Sequence, residues 1–316
     1  MLSLKPLPVR PAAHPLEPVL AAASRVILGK EDQIRLAVAC LLAGGHLLIE
    51  DLPGVGKTTL AHVLAKVMGL NFHRIQFTSD LLPADIIGVS VYDRASGSFK
   101  FHPGPVFSQL ILADEVNRAT PKTQSALLEA MEEHQVTVEG ETRALPEPFF
   151  VIATQNPSNQ IGTFPLPESQ LDRFLIRLEL GYPGRAAERA LLAGEDRRAM
   201  VVDLPPMLEP HQLVAWQAQV RTIHASGALI DYVQALVEQS RQSPLYESGL
   251  SPRAALALLN AARAWAFLAG RDKVIPEDVQ AVLPGVAGHR LRARGSPGVQ
   301  SSASNARLLI EAVPIP

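Results

Sequence analysis

The chain has 316 residues, 47% hydrophobic and 19% charged; this ordinary globular composition excludes disorder along the whole length, and the length makes two domains the default. A formal net charge of −2 gives no overall pull toward nucleic acid or an anionic membrane. The one cysteine, Cys40, sits in an apolar run, so an intramolecular disulfide is excluded and nothing points to an oxidising compartment.

Residues 1–18 are rich in proline and are expected to be extended, without the apolar core of a signal peptide. Glu31–Ala43 predicts a helix with Ile34, Val38 and Leu41 on one face, stopped by Gly44 and Gly45. Leu36–Ile49 is the best apolar stretch, but two glycines and a histidine interrupt it, and it falls short of the about 20 residues that span a bilayer. The expectation is a cytoplasmic protein with no membrane span. His46–Ile49 reads as a buried strand, followed by a glycine-rich turn, a helix over Lys57–Val67 and a second strand over Phe72–Phe77.

Val106–Ala113 is a further apolar run ending at two acids. Pro121–His134 predicts a helix with Leu127, Leu128 and Met131 on its apolar side. Val136–Val138 and Thr142–Leu145 flank Glu139–Gly140–Glu141 as a hairpin, and Phe149–Ala153 and Phe174–Leu180 are further strands. Strands alternating with helices argue for a mostly parallel sheet covered on both faces, over residues 19–184. After Tyr182–Pro183–Gly184 the periodicity is helical: Leu229, Val233 and Leu236 line one helix face, and Ala255, Leu258 and Leu259 another. Ser251–Pro252 is a helix start, and Pro276–Val282 a last short helix. An all-helical second domain is expected over 185–289, then a flexible tail over 290–316 whose apolar end (ARLLIEAVPIP) could dock.

The segment HLLIEDLPGVGKTTLA carries the chemistry. A strand enters a turn containing Gly54 and Gly56, which let backbone N–H groups curl toward phosphate oxygens, and the following helix start adds its positive end. Lys57 would reach the β- and γ-phosphates, and the Thr58 hydroxyl would ligate Mg²⁺. Pro53, Gly54, Val55, Gly56, Lys57, Thr58 and Thr59 are thus the candidate ATP-binding residues. The usual pattern has glycine six residues before the lysine; here Asp51 stands there.

Asp114 and Glu115 end an apolar strand; beside a phosphate loop, the first can hold Mg²⁺ and the second can polarise the attacking water as general base. Asn156, in Thr154–Gln155–Asn156–Pro157, reads on local sequence as an Asn-Pro turn or as a group that orients water beside the γ-phosphate. Arg173 (LPESQLDRF), Arg253 (LSPRAAL) and Arg118 (DEVNRA) are candidate phosphate-charge neutralisers, although most arginines are surface or ion-paired groups.

In the order GVGKTT, LILADEVNRA, VIATQNP, LPESQLDRF and LSPRAAL, the chain resembles the MoxR family of AAA+ ATPases from about Val26 to Val282, including the aspartate in place of the first glycine. The resemblance implies an α/β fold: a P-loop AAA+ three-layer αβα domain with a second, all-helical lid. It implies that Asp114 and Glu115 form the Walker B pair and that Asn156 is sensor 1. Arg173 would be an arginine finger acting across a subunit boundary, and Arg253 a sensor 2 acting in cis, on the same nucleotide as Lys57. Val26–Gly29 would lie near the adenine, with Ile27 and Gly29 in contact. Gly88–Phe101 resembles the hairpin inserted in helix 2 of one clade, and the Val136–Leu145 region resembles the hairpin before sensor 1. The implied assembly is a homo-oligomeric ring, a hexamer, that hydrolyses Mg·ATP to remodel or mature client protein complexes, including cofactor or metal insertion. The implied partner carries a von Willebrand factor A domain.

Two other activities share this core: a nucleic-acid motor or loader, and a metal-chelatase motor subunit. The first needs a basic or stacking stripe, and the hairpins are mixed: Arg94, Lys100, Tyr92, Phe99 and Phe101 in one, Glu139, Glu141 and Arg143 in the other. A nucleotide switch without turnover is a third reading; Glu115, Asn156 and Arg173 together speak against it. The stretch after Gly285 lacks the regular helical segment expected there.

Overall fold

Short apolar runs and amphipathic segments alternate through the first half of the chain. The computed structural model describes residues 15–156, 162–194, 197–291, 294 and 302–315. Helices α1 (Glu17–Val26) and α2 (Glu31–Leu42) lead into strand β1 (Leu47–Glu50), and α3 (Lys57–Val67) into β2 (Phe72–Gln76). The short α4 (Pro83–Ile87) precedes a hairpin of β3 (Gly88–Asp93) and β4 (Ser98–Pro103). Then come β5 (Leu110–Asp114), α5 (Pro121–Glu133), a second hairpin of β6 (Gln135–Val138) and β7 (Glu141–Ala144), β8 (Phe150–Gln155), α6 (Glu168–Leu171) and β9 (Ile176–Leu178). The remainder is helical: α7 (Arg185–Ala193), α8 (Arg197–Val202), α9 (Pro210–Thr222), α10 (Gly227–Gln242), α11 (Pro252–Leu268), α12 (Pro276–Ala287) and α13 (Ser302–Ala312).

The main sheet has strand order β2-β5-β8-β1-β9, and every pairing in it is parallel. Its central strands are buried on both faces, which is why they read as continuous apolar runs. Strand alternation sends Leu47, Ile49, Leu110, Leu112, Phe150 and Ile152 into one core, with α1, α2, α3 and the later helices. Leu48, Ile111, Ala113, Val151 and Ala153 enter the other, against α4 and α5. The result is a three-layer αβα domain with a helical lid. The loops at the C-terminal ends of β1, β5 and β8 share one edge of the sheet, the edge where open parallel sheets bind ligands.

Three expectations need correction. Glu17 and Pro18 do not belong to an extended segment; they open α1, whose Val19, Ala22, Ala23 and Val26 are buried. Proline is tolerated in a first helical turn because the N–H it lacks has no partner there; residues 1–14 lie outside the described residues. The tail over 290–316 is also not simply flexible. Its end forms α13, with Ala306, Leu309 and Val313 buried against the lid, and Arg290 is buried in an ion pair with Asp172 (2.6 Å). The last predicted helix is longer than expected, running to Ala287.

Candidate active site

The turn after β1 is built on two left-handed residues, Gly54 (φ 82°) and Gly56 (φ 98°). A side-chain carbon added at either would meet nothing within 4 Å, so the requirement for glycine is conformational, and the inside of the curl is open. Gly56 caps the N-terminus of α3, and Lys57, Thr58 and Thr59 form its first turn. Lys57 is buried; its ammonium donates to the Asp51 carbonyl (2.5 Å) and to Asn156 Oδ1 (3.1 Å). Burial lowers its pKa, opposed by the negative charges of Asp51, Asp114, Glu115 and Glu50.

Asp51 has a structural explanation. Its carboxylate accepts from Leu52 N–H (2.7 Å) and from Gly181 N–H (2.6 Å), tying the start of the loop to the segment after β9. That segment leads to the predicted adenine region, since Lys30 donates to the Tyr182 carbonyl (2.9 Å). Gly29 is left-handed (φ 66°), and an added Cβ there would lie 3.3 Å from Ala187 Cβ; Ile27 is buried.

Asp114 is the last residue of β5, and Glu115 turns the chain in the left-handed region (φ 57°, ψ 47°). The Thr154 hydroxyl donates to Asp114 Oδ1 (2.5 Å) and accepts from Glu115 N–H (2.9 Å). Arg74 holds Asp114 Oδ2 through Nη2 (2.6 Å) and Nε (3.1 Å). Asn156 donates to Glu115 Oε1 (3.1 Å), while Gln76 (3.2 Å) and Arg118 (2.8 Å) hold Oε2. The structure therefore brings Lys57, Asn156, Glu115, Asp114 and Arg118 into one hydrogen-bonded cluster. Pro157 lies outside the described residues.

Arg173 and Arg253 meet elsewhere. Both pair with Glu132 at the end of α5, at 2.9 and 2.7 Å, and Arg173 also donates to the Leu128 carbonyl (2.6 Å). The Arg253 guanidinium holds the Glu132 carboxyl below the usual range. The three residues line a cavity of about 290 Å³ with His46 and Arg290.

The family model described as "ATPase family associated with various cellular activities (AAA)" matches residues 46–176, and that of an AAA lid domain matches residues 238–308. The protein named "Chaperone MoxR1" of Mycobacterium tuberculosis (strain ATCC 25618 / H37Rv) is 41% identical over 88% of this chain and 76% of its own length. This chain belongs to the MoxR family of AAA+ ATPases. "Uncharacterized protein YeaC" of Bacillus subtilis (strain 168) is 45% identical to this MoxR-family chain over 95% of it and 96% of the relative. A crystal structure from Cytophaga hutchinsonii ATCC 33406 superposes with a TM-score of 0.85 at 36% identity, covering 96% of this chain and 95% of that one.

In this MoxR-family chain the structure does not bring Arg253 to Lys57, where a cis sensor 2 would share its nucleotide. Arg253 sits with Arg173 beyond the N-terminal end of β1, beside His46, whereas Lys57 lies beyond the C-terminal end, beside Asp51. The lid packs α11 so that its first turn reaches Glu132 on the rim opposite the phosphate loop. Local sequence does not encode that packing direction.

Sequence reasoning also missed Thr154, Arg74 and Glu132. Thr154 lay in the quoted Thr154–Gln155–Asn156–Pro157 segment, but past the predicted strand nothing there marked its hydroxyl. Arg74 lies on an edge strand as one of several polar residues and offered no signal either. The donors at the loop suit Mg·ATP: open backbone N–H groups for phosphate, and a hydroxyl (Thr58) and a carboxylate (Asp114) of the hard oxygen type that magnesium takes.

The first hairpin exposes Tyr92 and Phe99, packed edge to face with centroids 5.4 Å apart, and Phe99 is 69% exposed. The Arg143 guanidinium of the second hairpin lies 4.1 Å from the centre of the Phe101 ring, joining the two hairpins. Among the described residues, no helix is long and apolar enough to cross a membrane.

Proposed function

We propose that this AAA+ ATPase hydrolyses Mg·ATP in sites shared between neighbouring copies of a hexameric ring, and uses the cycle to remodel client protein complexes. The observation that carries the reading is the separation of Lys57 from Arg173 and Arg253 by the length of β1. Each copy has a phosphate loop on one rim of its sheet and an arginine pair on the other, so the pair serves a neighbour's nucleotide.

In this reading Lys57 exchanges Asp51 and Asn156 for the β- and γ-phosphate oxygens. The N–H groups of Pro53–Thr59 (Pro53 itself having none) and the start of α3 hold the phosphates. Ile27 and Gly29 border the base. Asn156 orients a water, and the Glu115 carboxylate accepts its proton as the water oxygen attacks the γ-phosphorus and the bond to the β-phosphate oxygen breaks. Thr58 and Asp114 would hold magnesium, which when bound supplies positive charge to the phosphate oxygens. Arg173 and Arg253 neutralise the charge spread over the transferring group, a contribution of roughly 10³–10⁵ in rate where one arginine finger does it alone.

The hairpin of β3 and β4, standing between α4 and β5, supports placement in the helix 2 insert clade. Its exposed Tyr92 and Phe99 suit contact with a protein client. The name of the M. tuberculosis relative, a chaperone, supports the same direction. The reading includes a cytoplasmic setting and a partner carrying a von Willebrand factor A domain.

Mixing subunits tests the shared site. Lys57→Ala should abolish nucleotide binding, and Arg173→Ala should bind ATP but turn it over at least tenfold more slowly. A mixture of the two should regain activity, because some boundaries then join an intact loop to an intact arginine pair. No recovery in mixtures shown to co-assemble would defeat the reading. Glu115→Gln should bind ATP without turnover.

A further inference from the structure

Thr154 is fully buried in β8, at the end of the run Phe150–Val151–Ile152–Ala153. A central strand at such a site favours an apolar side chain, and valine has the same shape. The hydroxyl is engaged twice: its one hydrogen goes to Asp114 Oδ1 (2.5 Å), and one of its two lone pairs accepts the Glu115 N–H (2.9 Å). One oxygen thus touches both members of the acidic pair. Thr154 is branched at Cβ, so few rotamers are open to it and the hydroxyl points one way.

Each bond settles a different thing. The bond to Asp114 commits Oδ1 and leaves Oδ2, now on Arg74, as the oxygen able to exchange partners. The bond from Glu115 N–H pins a non-glycine residue in the left-handed region (φ 57°), a conformation that seldom persists without such support. That backbone turn is what points the Glu115 carboxylate at Asn156 Nδ2 (3.1 Å).

We propose that Thr154 is a positioning residue of the ATPase site: its hydroxyl simultaneously orients the Asp114 carboxylate for the metal and holds the Glu115 backbone so that its carboxylate faces the nucleotide. The proposal rests on the roles given above to Asp114 and Glu115.

The test compares Thr154→Val, Thr154→Ala and Thr154→Ser in the full-length, assembled protein. Two quantities are read: steady-state ATP turnover, and the affinity for a fluorescent non-hydrolysable ATP analogue with and without Mg²⁺. Val and Ala should lower kcat by about 10²-fold, the scale of a catalytic group misplaced by an ångström. They should also raise the Mg²⁺ concentration that tightens analogue binding, while metal-free binding to the loop stays at the parental level. Ser should restore both. Parental kcat and Mg²⁺ dependence in a folded Val variant would overturn the proposal, and so would a Ser variant as impaired as Val. Should Val unfold, Ala makes the same comparison without a branched side chain. Normal turnover by Glu115→Gln would instead remove Glu115 as the base, and the Mg²⁺-dependent binding would still report on the Asp114 arm.

Discussion

His46 shows how a single buried group ties this fold to pH. Its Nδ1 accepts the Val151 N–H (3.1 Å), which leaves Nε2 to donate to the Met131 carbonyl (3.1 Å), so both contacts need the neutral ring. Burial pushes its pKa down to about 4, opposed by the Met131 carbonyl and aided by His134. In the unfolded chain the ring titrates near the ordinary value of about 6.5. The folded value is the lower one, so the unfolded state takes up the proton first. The stability from this site is complete above pH 6.5 and is lost as pH falls toward 4, by roughly 3 kcal/mol in all. Urea unfolding at pH 7 and pH 4.5 should show the loss, and His46→Gln should flatten it. At this scale the sequence was informative where a residue type has few uses. A lysine after two glycines at a helix start singled out Lys57, and with that loop upstream two acids closing an apolar strand made Asp114 and Glu115 candidates; the structure gathers all three in one cluster. Arg74 and Glu132 were illegible because charged residues on edge strands and helix ends have many ordinary uses, and only their partners distinguish them.

Among the elements, α13 is the instructive case. Ala306, Leu309 and Val313 recur at helical spacing and are buried against the lid. The apolar end of the tail was visible in the sequence as something that could dock. The Gly/Ser/Pro-rich stretch before it hid the helix, because local composition argued for a mobile linker and only tertiary burial argues for order. Leu309→Ala removes a fully buried side chain and should destabilise the lid by about 2–5 kcal/mol. Thermal unfolding reads this directly, with Leu308→Ala as the exposed neighbour that should cost little. The strands of the main sheet were more legible, since burial on both faces requires continuous apolar runs. Their ends shifted by a residue or two, as at β9, which is shorter than Phe174–Leu180.

For the whole molecule, the decisive relation is between the two rims of the sheet. No periodicity or motif in the sequence reports which rim the lid reaches, and family resemblance alone implied Arg253 beside the nucleotide of Lys57, whereas the structure places it beside Glu132. In the proposed ring, separate rims would make catalysis a property of neighbours. Turnover per chain should therefore fall steeply on dilution below the assembly concentration, while nucleotide affinity at the loop changes little. A fixed turnover per chain down to a concentration where sedimentation shows monomers would contradict this. Helix α7, which passes Gly29 at Ala187, leaves Leu192 86% exposed.

Glu132 gives the arrangement an idle setting. Within one copy, a single carboxylate pairs with two guanidiniums. A carboxylate carries a single negative charge, whereas a terminal phosphate group carries more, so in the proposed ring a loaded neighbour would outcompete it. A spent neighbour, lacking that group, would return the pair to rest, and the contact between copies would become a gauge of how many phosphates lie across it.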